Sequence, residues 1–389
     1  MKPKYFIFLC LSVIILSTQY SQATIRYVSK TGTSQPPYTT WQTAADSIQK
    51  CINICVDGDT IYVANGIYKE NLVINTQIFL SGLSMDSTVI DGHNMGQFTV
   101  RLNKSGTIEN LRIYGKGLNF PQTAAITSFQ YLELNYCRVS DASDGVDLIN
   151  SANVQNNIIT NCLAGFGLAP IYDTCNIYVK NNFLTFTNSN ASGIASGVFG
   201  IFHINNNLIL FTGTYNPGSG ISVGAPRKIY INNNLISGFT DNIFFDTVVD
   251  TAFIKNNVLI FQSSRGSTAS IWSSANKIFV NNVILSNNIR GIYQSGGGFV
   301  RSDYNLYWKN ETDLNGLTYG DSDRVADPMF VNDTIPTANS GYDFHLQAFS
   351  PAIDKGNPDI LDLDGTRSDI GLYGGPFGET YTYQDLAPL

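Results

Sequence analysis

One tetrad constrains this chain more than any other feature: two asparagines followed by two apolar residues. It stands at Asn156-Asn157-Ile158-Ile159 and returns at Asn181, Asn206, Asn233, Asn256 and Asn281. Weaker copies are Glu109-Asn110-Leu111, Leu134-Asn135-Tyr136 and Tyr304-Asn305-Leu306. The spacing is close to 25 residues throughout, the mark of an architecture built by stacking one small unit.

Each unit reads as three short strands. Ile177-Tyr178-Val179, Phe202-His203-Ile204 and Ile229-Tyr230-Ile231 alternate apolar and variable residues before their pairs, as half-buried strands do. A second strand follows the pair, and a Gly-Φ-x-Φ strand comes next, as in Gly145-Val146-Asp147-Leu148 and Gly220-Ile221-Ser222-Val223. Three strands per turn, stacked at about 4.8 Å, make a parallel β-helix of about 11–12 coils. Asparagine suits the corner because it tolerates left-handed backbone, and its amide can bond to the coil above in an asparagine ladder.

Residues 1–23 have the form of a signal peptide: Lys2 and Lys4, an apolar run over 5–16, and Ser21-Gln22-Ala23 as a cleavage site. An exported, secreted or cell-surface protein without a membrane span is the expectation. The mature chain carries 21 basic against 30 acidic residues, which argues against a nucleic-acid partner. An anionic polymer would need local cations or a divalent ion such as calcium. Five cysteines remain after cleavage, with no metal-ligand spacing, and read as isolated thiols.

The apolar spacing of Ala44, Ala45, Ile48 and Cys51 predicts a capping helix over 41–51, within an N-terminal cap of about 25–60. From Glu311 the repeat stops, and 311–378 read as last coils plus a C-terminal cap, with 379–389 as a tail. The domain is 24–378. Two apolar residues follow each pair, and alternation from the turn puts Ile158, Phe183, Leu208, Leu235, Val258 and Val283 in the core. That leaves Ile159, Leu184, Ile209, Ile236, Leu259 and Ile284 as an outer stripe needing a cover, with 311–389 the favoured one.

The runs Trp41-Gln42-Thr43-Ala44-Ala45, Gly58-Asp59-Thr60-Ile61-Tyr62-Val63 and Gly66-Ile67-Tyr68-Lys69-Glu70-Asn71 resemble the opening of pectate-lyase-like right-handed β-helix proteins. Asp327-Pro328-Met329-Phe330, Ser350-Pro351-Ala352-Ile353-Asp354 and Asp362-Leu363-Asp364-Gly365 resemble the closing segment of many exported bacterial β-helix proteins. The resemblance implies an all-β right-handed solenoid. It implies no single activity, since such folds carry lyases, hydrolases, epimerases and adhesins. The Asp-Asp and Arg-Ile-Lys runs of polygalacturonases and the Asp-Pro-His-Asp of mannuronan epimerases are missing.

Chemistry is sought on the outward residues of the Gly-Φ-x-Φ strands, which stack into a row. Phe244, Trp272 and Tyr293 form a candidate saccharide platform, since aromatic faces suit sugar CH surfaces. Arg290, beside Tyr293, is a candidate clamp for a substrate carboxylate. Asp147 (with Asp141 and Asp144) and Asp246 (with Asp241 and Asp250) are candidate catalytic carboxylates, and Lys255 a candidate base. Lys180 holds the same outward place as Lys255, three coils away. Asp362 and Asp364 are candidate calcium ligands, although Ile360 and Gly371 stand where an EF-hand loop needs donors. Two functions follow: a monomeric lyase cleaving a uronic-acid polysaccharide by β-elimination, or a non-catalytic glycan-binding β-helix.

Overall fold

The computed structural model describes residues 23–386, apart from 198, 215, 246–249, 262–268, 274–276, 297, 335 and 337–340. The signal segment at 1–22 and the candidate Asp246 lie outside the described residues. The chain winds as a right-handed parallel β-helix. Its first sheet has twelve parallel strands, one per coil, from Ile25–Val28 to Phe299–Asp303. A second sheet follows each Asn turn, and a third holds the Gly-Φ-x-Φ strands. Arg138–Leu148 and Ile158–Leu168 run unbroken through the corner between these two, bending at Asp141 (φ 61°) and Asn161 (φ 52°).

The two asparagines of a pair do different work. The first takes the left-handed turn, with φ between 52° and 58° at Asn156, Asn181, Asn206, Asn233 and Asn256. The second points inward and is almost wholly buried. Its amide bonds along the axis: Asn157 Nδ2 donates to Asn182 Oδ1 (3.0 Å), Asn182 to Asn207 (3.0 Å), Asn207 to Asn234 (2.9 Å) and Asn234 to Asn257 (3.0 Å). The pair at 281–282 is offset by one. Asn282 takes the turn at φ 57°, so Val283 fills the inward place and interrupts the file.

This inward asparagine reverses the expected strand register. Because Asn207 already points in, Leu208 must point out and Ile209 in. Ile159, Leu184, Ile209, Ile236 and Leu259 are fully buried core. The outer row is Ile158, Phe183, Leu208, Leu235, Val258, Ile284 and Leu306 in register. A stripe does stand outside, but on five of the six coils it is the other row; on the offset coil Ile284 stands outside and Val283 inside, as expected.

From Leu208 to Leu306 that stripe is covered from within the chain. The described residues of 327–383 run back along the second sheet as a strap. Phe330, Phe344, Leu346 and Ile370 pack on Leu235, Val258, Ile284 and Leu306. The turn asparagines hold it from below. Asn282 Oδ1 accepts from Asn357 N (2.6 Å), Asn256 Nδ2 donates to Ser368 Oγ (3.1 Å) and Asp369 O (3.0 Å), and Asn233 Nδ2 donates to Leu372 O and Gly374 O (both 2.7 Å). Asn206 reaches Phe377 O at 2.6 Å, the last rung of this rail. Residues read as a free tail pack back too: Tyr383 OH donates to Asp369 Oδ2 (2.9 Å), and Ala348 N to Gln384 O (2.8 Å).

At the other end the helix is shorter than the apolar spacing predicts, Ile48–Ile52, because Ala44 and Ala45 are buried in extended chain. Glu70 accepts from Ser47 Oγ, Ile48 N and Gln49 N at 2.8–3.0 Å, so a carboxylate meets the unsatisfied donors of the first turn. Ile48, Cys51 and Ile52 turn inward over the core. Among the described residues, no helix is long and apolar enough to cross a membrane.

Candidate functional site

The outward row of the third sheet brings the expected residues into one line. Asp147 pairs with Gly167, Gly167 with Ala195, and Ala195 with Ser222. Phe244, Trp272 and Tyr293 continue the row. Phe244 and Trp272 stack at 4.7 Å with 19° between planes, and Tyr293 tilts by 54° at 6.4 Å. All three keep part of their surface in solvent. Arg290 lies 5.6 Å from the Tyr293 ring centre. The platform and its guanidinium are therefore adjacent.

The row changes character toward the N-terminal side. Gly167, Ala195 and Ser222 put almost no side chain on three successive rungs. A Cβ at Gly167 would sit 2.6 Å from Asp147 Oδ1, so the glycine leaves the space that the carboxyl occupies. Burial, and then the charge of nearby Asp144, push the Asp147 carboxyl up to about 7. Burial also raises Asp144. Two rungs further, on the same row, stands Arg101, with Thr127 between. Its guanidinium lies 4.7 Å from the Phe129 ring centre, and its Nε donates to Asn103 Oδ1 at 3.0 Å. Asp147 is four rungs from Phe244, about 19 Å. The face thus offers a proton-carrying carboxyl, a smooth floor and an aromatic end in one line.

Other candidates fall elsewhere. Lys255 ends the first-sheet strand Thr251–Lys255, on a different face, and cannot serve as a base beside the platform. Asp241 is buried, accepting from Ala269 N at 3.1 Å, and Asp250 is exposed beyond its strand. Asp362 accepts backbone N–H groups of Asp369 (3.0 Å) and Gly375 (2.5 Å), and Asp364 accepts from the backbone N–H (2.9 Å) and the Oγ1 hydroxyl (2.7 Å) of Thr366. Both carboxylates are occupied in holding turns of the strap. No cluster of three or more His, Cys, Asp or Glu poised for a metal occurs among the described residues.

Two groupings were not legible beforehand. On the first sheet, Tyr178, His203, Tyr230, Phe253 and Phe279 stack at 4.4, 4.9, 5.3 and 5.3 Å. A signal existed: all five stand three residues before a turn asparagine. On the second sheet, His93 lies between Asp91 (2.7 Å) and Asp141 (3.6 Å), from two coils, and no spacing announces that contact.

No protein-family model matches the sequence, and no curated protein matches it significantly. Among solved structures it is similar to the pectate lyase Pel9A, with a TM-score of 0.53 and 13% identity over 91% of this chain and 96% of that one. It is also similar to XylC, solved in complex with xylose, with a TM-score of 0.52 and 9% identity over 73% and 75% of the two chains. At such identities the likeness is one of fold.

Proposed function

We propose that this pectate-lyase-like right-handed parallel β-helix protein holds a polysaccharide along the outer face of its third sheet. The observation carrying this is the half-exposed platform of Phe244, Trp272 and Tyr293, with Arg290 at its end and a floor of small residues beside it. Sugar rings seat their CH faces on such rings, and a guanidinium can pair with a uronate carboxylate. The solved pectate lyase and the xylose-bound protein of the same fold support a carbohydrate ligand. The basic, then apolar, opening of the sequence supports export to where such polymers occur.

A second reading, cleavage by β-elimination, is favoured by Asp147. A carboxyl held up to about 7 can both take and return a proton near neutral pH. Arg101, about 10 Å away on the same row, is placed to neutralise a uronate lying between them.

The test pairs binding with turnover. Purified protein is titrated with pectate, alginate and glycosaminoglycan fragments, with and without calcium, while absorbance near 235 nm follows unsaturated product. Trp272→Ala is expected to weaken binding several-fold with little change in thermal unfolding, and Asp147→Asn to abolish product without abolishing binding. Equal affinity of the parent and Trp272→Ala for every fragment bound sinks the platform. Product formation by Asp147→Asn at the parent rate sinks the elimination reading.

A further inference from the structure

The first sheet carries a second built surface. Its aromatic file runs from Tyr178 to Phe279, and beside it runs a polar row of Lys180, Asn205, Asn232 and Lys255 in register. Their centres follow the rungs, which repeat at about 4.8 Å, and each of the five rings keeps part of its surface in solvent. Tyr178 opens the file, 40% exposed, with Asn153 on the preceding rung in place of a ring. The polar row is ordered as well, since Asn232 Nδ2 donates to Asn205 Oδ1 at 3.0 Å.

The lysines bracket these amides three rungs apart, about 14 Å. Among the described residues neither forms an ion pair, although the chain as a whole is acidic at a formal −7. Where the strap crosses this face, a cavity of about 320 Å³ opens between His203, Tyr230, Asn232, Lys255 and Phe377. Its lining combines the aromatic rings of His203, Tyr230 and Phe377 with the amide of Asn232 and the ammonium of Lys255. Burial lowers the His203 pKa.

We propose that this strip is a second saccharide site, for an acidic oligosaccharide lying parallel to the axis with uronate carboxylates on Lys180 and Lys255 and one sugar seated in the cavity. The chemistry of the face selects that class. Part-exposed rings accept CH surfaces, amides accept hydroxyls, and two separated ammonium groups match a chain that carries a carboxylate on each residue. An extended sugar residue is about as long as one rung, so carboxylates three residues apart fall near the two lysines. The ligand class follows from this face's own groups, so the proposal stands whether or not the third sheet binds glycan.

Lysine acetylation, read by peptide mass spectrometry, locates the ligand. Saturating hexagalacturonate is expected to slow acetylation of Lys180 and Lys255, and its methyl ester, lacking the charges, to slow it far less. The same protection is expected in Trp272→Ala, which separates this site from the platform. The double variant Lys180→Gln/Lys255→Gln is expected to lose affinity for hexagalacturonate at this site by about tenfold, the weight of one charge-assisted hydrogen bond. Unchanged acetylation of both lysines under saturating hexagalacturonate overturns the proposal. So does equal protection by the methyl ester, which would leave the charges no role.

Discussion

Asn207 shows how much one side chain holds. Its Oδ1 accepts from both Asn182 N and Asn182 Nδ2 at 3.0 Å, and its Nδ2 donates to Val179 O and Asn234 Oδ1 at 2.9 Å. All of these groups are buried away from water. Asn207→Ala removes the partner and leaves them stranded, at a cost of about 1–3 kcal/mol. Denaturant unfolding of the variant should show that loss as a lower midpoint at unchanged slope. A midpoint equal to the parent's would mean the amides find water. The recurrence of asparagine was legible in the sequence, because a left-handed corner and an inward amide both favour that residue. Its consequence for the next two residues was not. Polar residues are expected to point out of a core, so counting from the corner put Leu208 inside, whereas the buried amide claims that place and turns Leu208 outward. The offset at Asn281-Asn282 was hidden for a similar reason: two identical residues do not reveal which takes the turn, and Val283 does.

Elements are held here by corners as much as by faces. The strap is aperiodic in sequence, so its path could not be read, but the need for it could, since a row of aliphatic side chains on a solenoid flank demands a cover. It packs apolar groups on Val258, Ile284 and Leu306 and takes hydrogen bonds from the turn asparagines below. Those two roles of the turn residue can be separated. Glycine accepts the left-handed φ of 53° at Asn256 without strain but offers no amide to Ser368 and Asp369. Asn256→Gly is expected to cost about 1–2 kcal/mol, the weight of its lost hydrogen bonds. Hydrogen exchange at the amides of 368–375 should quicken accordingly. Asn181→Gly, at the same turn where the strap does not reach, should leave that exchange unchanged. Equal effects of the two substitutions would mean the rail contributes nothing to holding the strap.

Across the whole molecule, three faces divide the labour: the later coils of the second sheet are occupied by the strap, while the first and third present aromatic files. The register of the third sheet was legible because glycine marks several of its strands, as at Gly145, Gly220 and Gly291, and Phe244, Trp272 and Tyr293 stand on the row expected of them, although Asn242 and Ser270 hold the glycine place on two of the strands. The state of Asp147 was not, because burial by neighbouring coils leaves no trace in a local sequence. That state makes the stability of the molecule depend on pH with a definite sign. The unfolded carboxyl titrates near 3.8, while the folded one is held up to about 7 by burial and by Asp144. Between those values the unfolded chain has released a proton that the folded chain still holds. The contribution is therefore fully present below about 4, falls as pH rises toward 7, and is constant above it. Asp147→Asn removes this dependence while keeping the shape of the side chain. Its melting temperature relative to the parent should rise from pH 4 to pH 8, by a few degrees, with the change centred between the two pKa values. Asp369 is also raised by burial, but it titrates in both proteins and cancels in the difference, whereas the repulsion between Asp144 and Asp147 ends with the substitution and is part of the difference. A difference that stays flat across this range would show that Asp147 is ionised at neutral pH. The elimination reading would then lose its proton carrier, while the platform and the lysine strip would stand untouched.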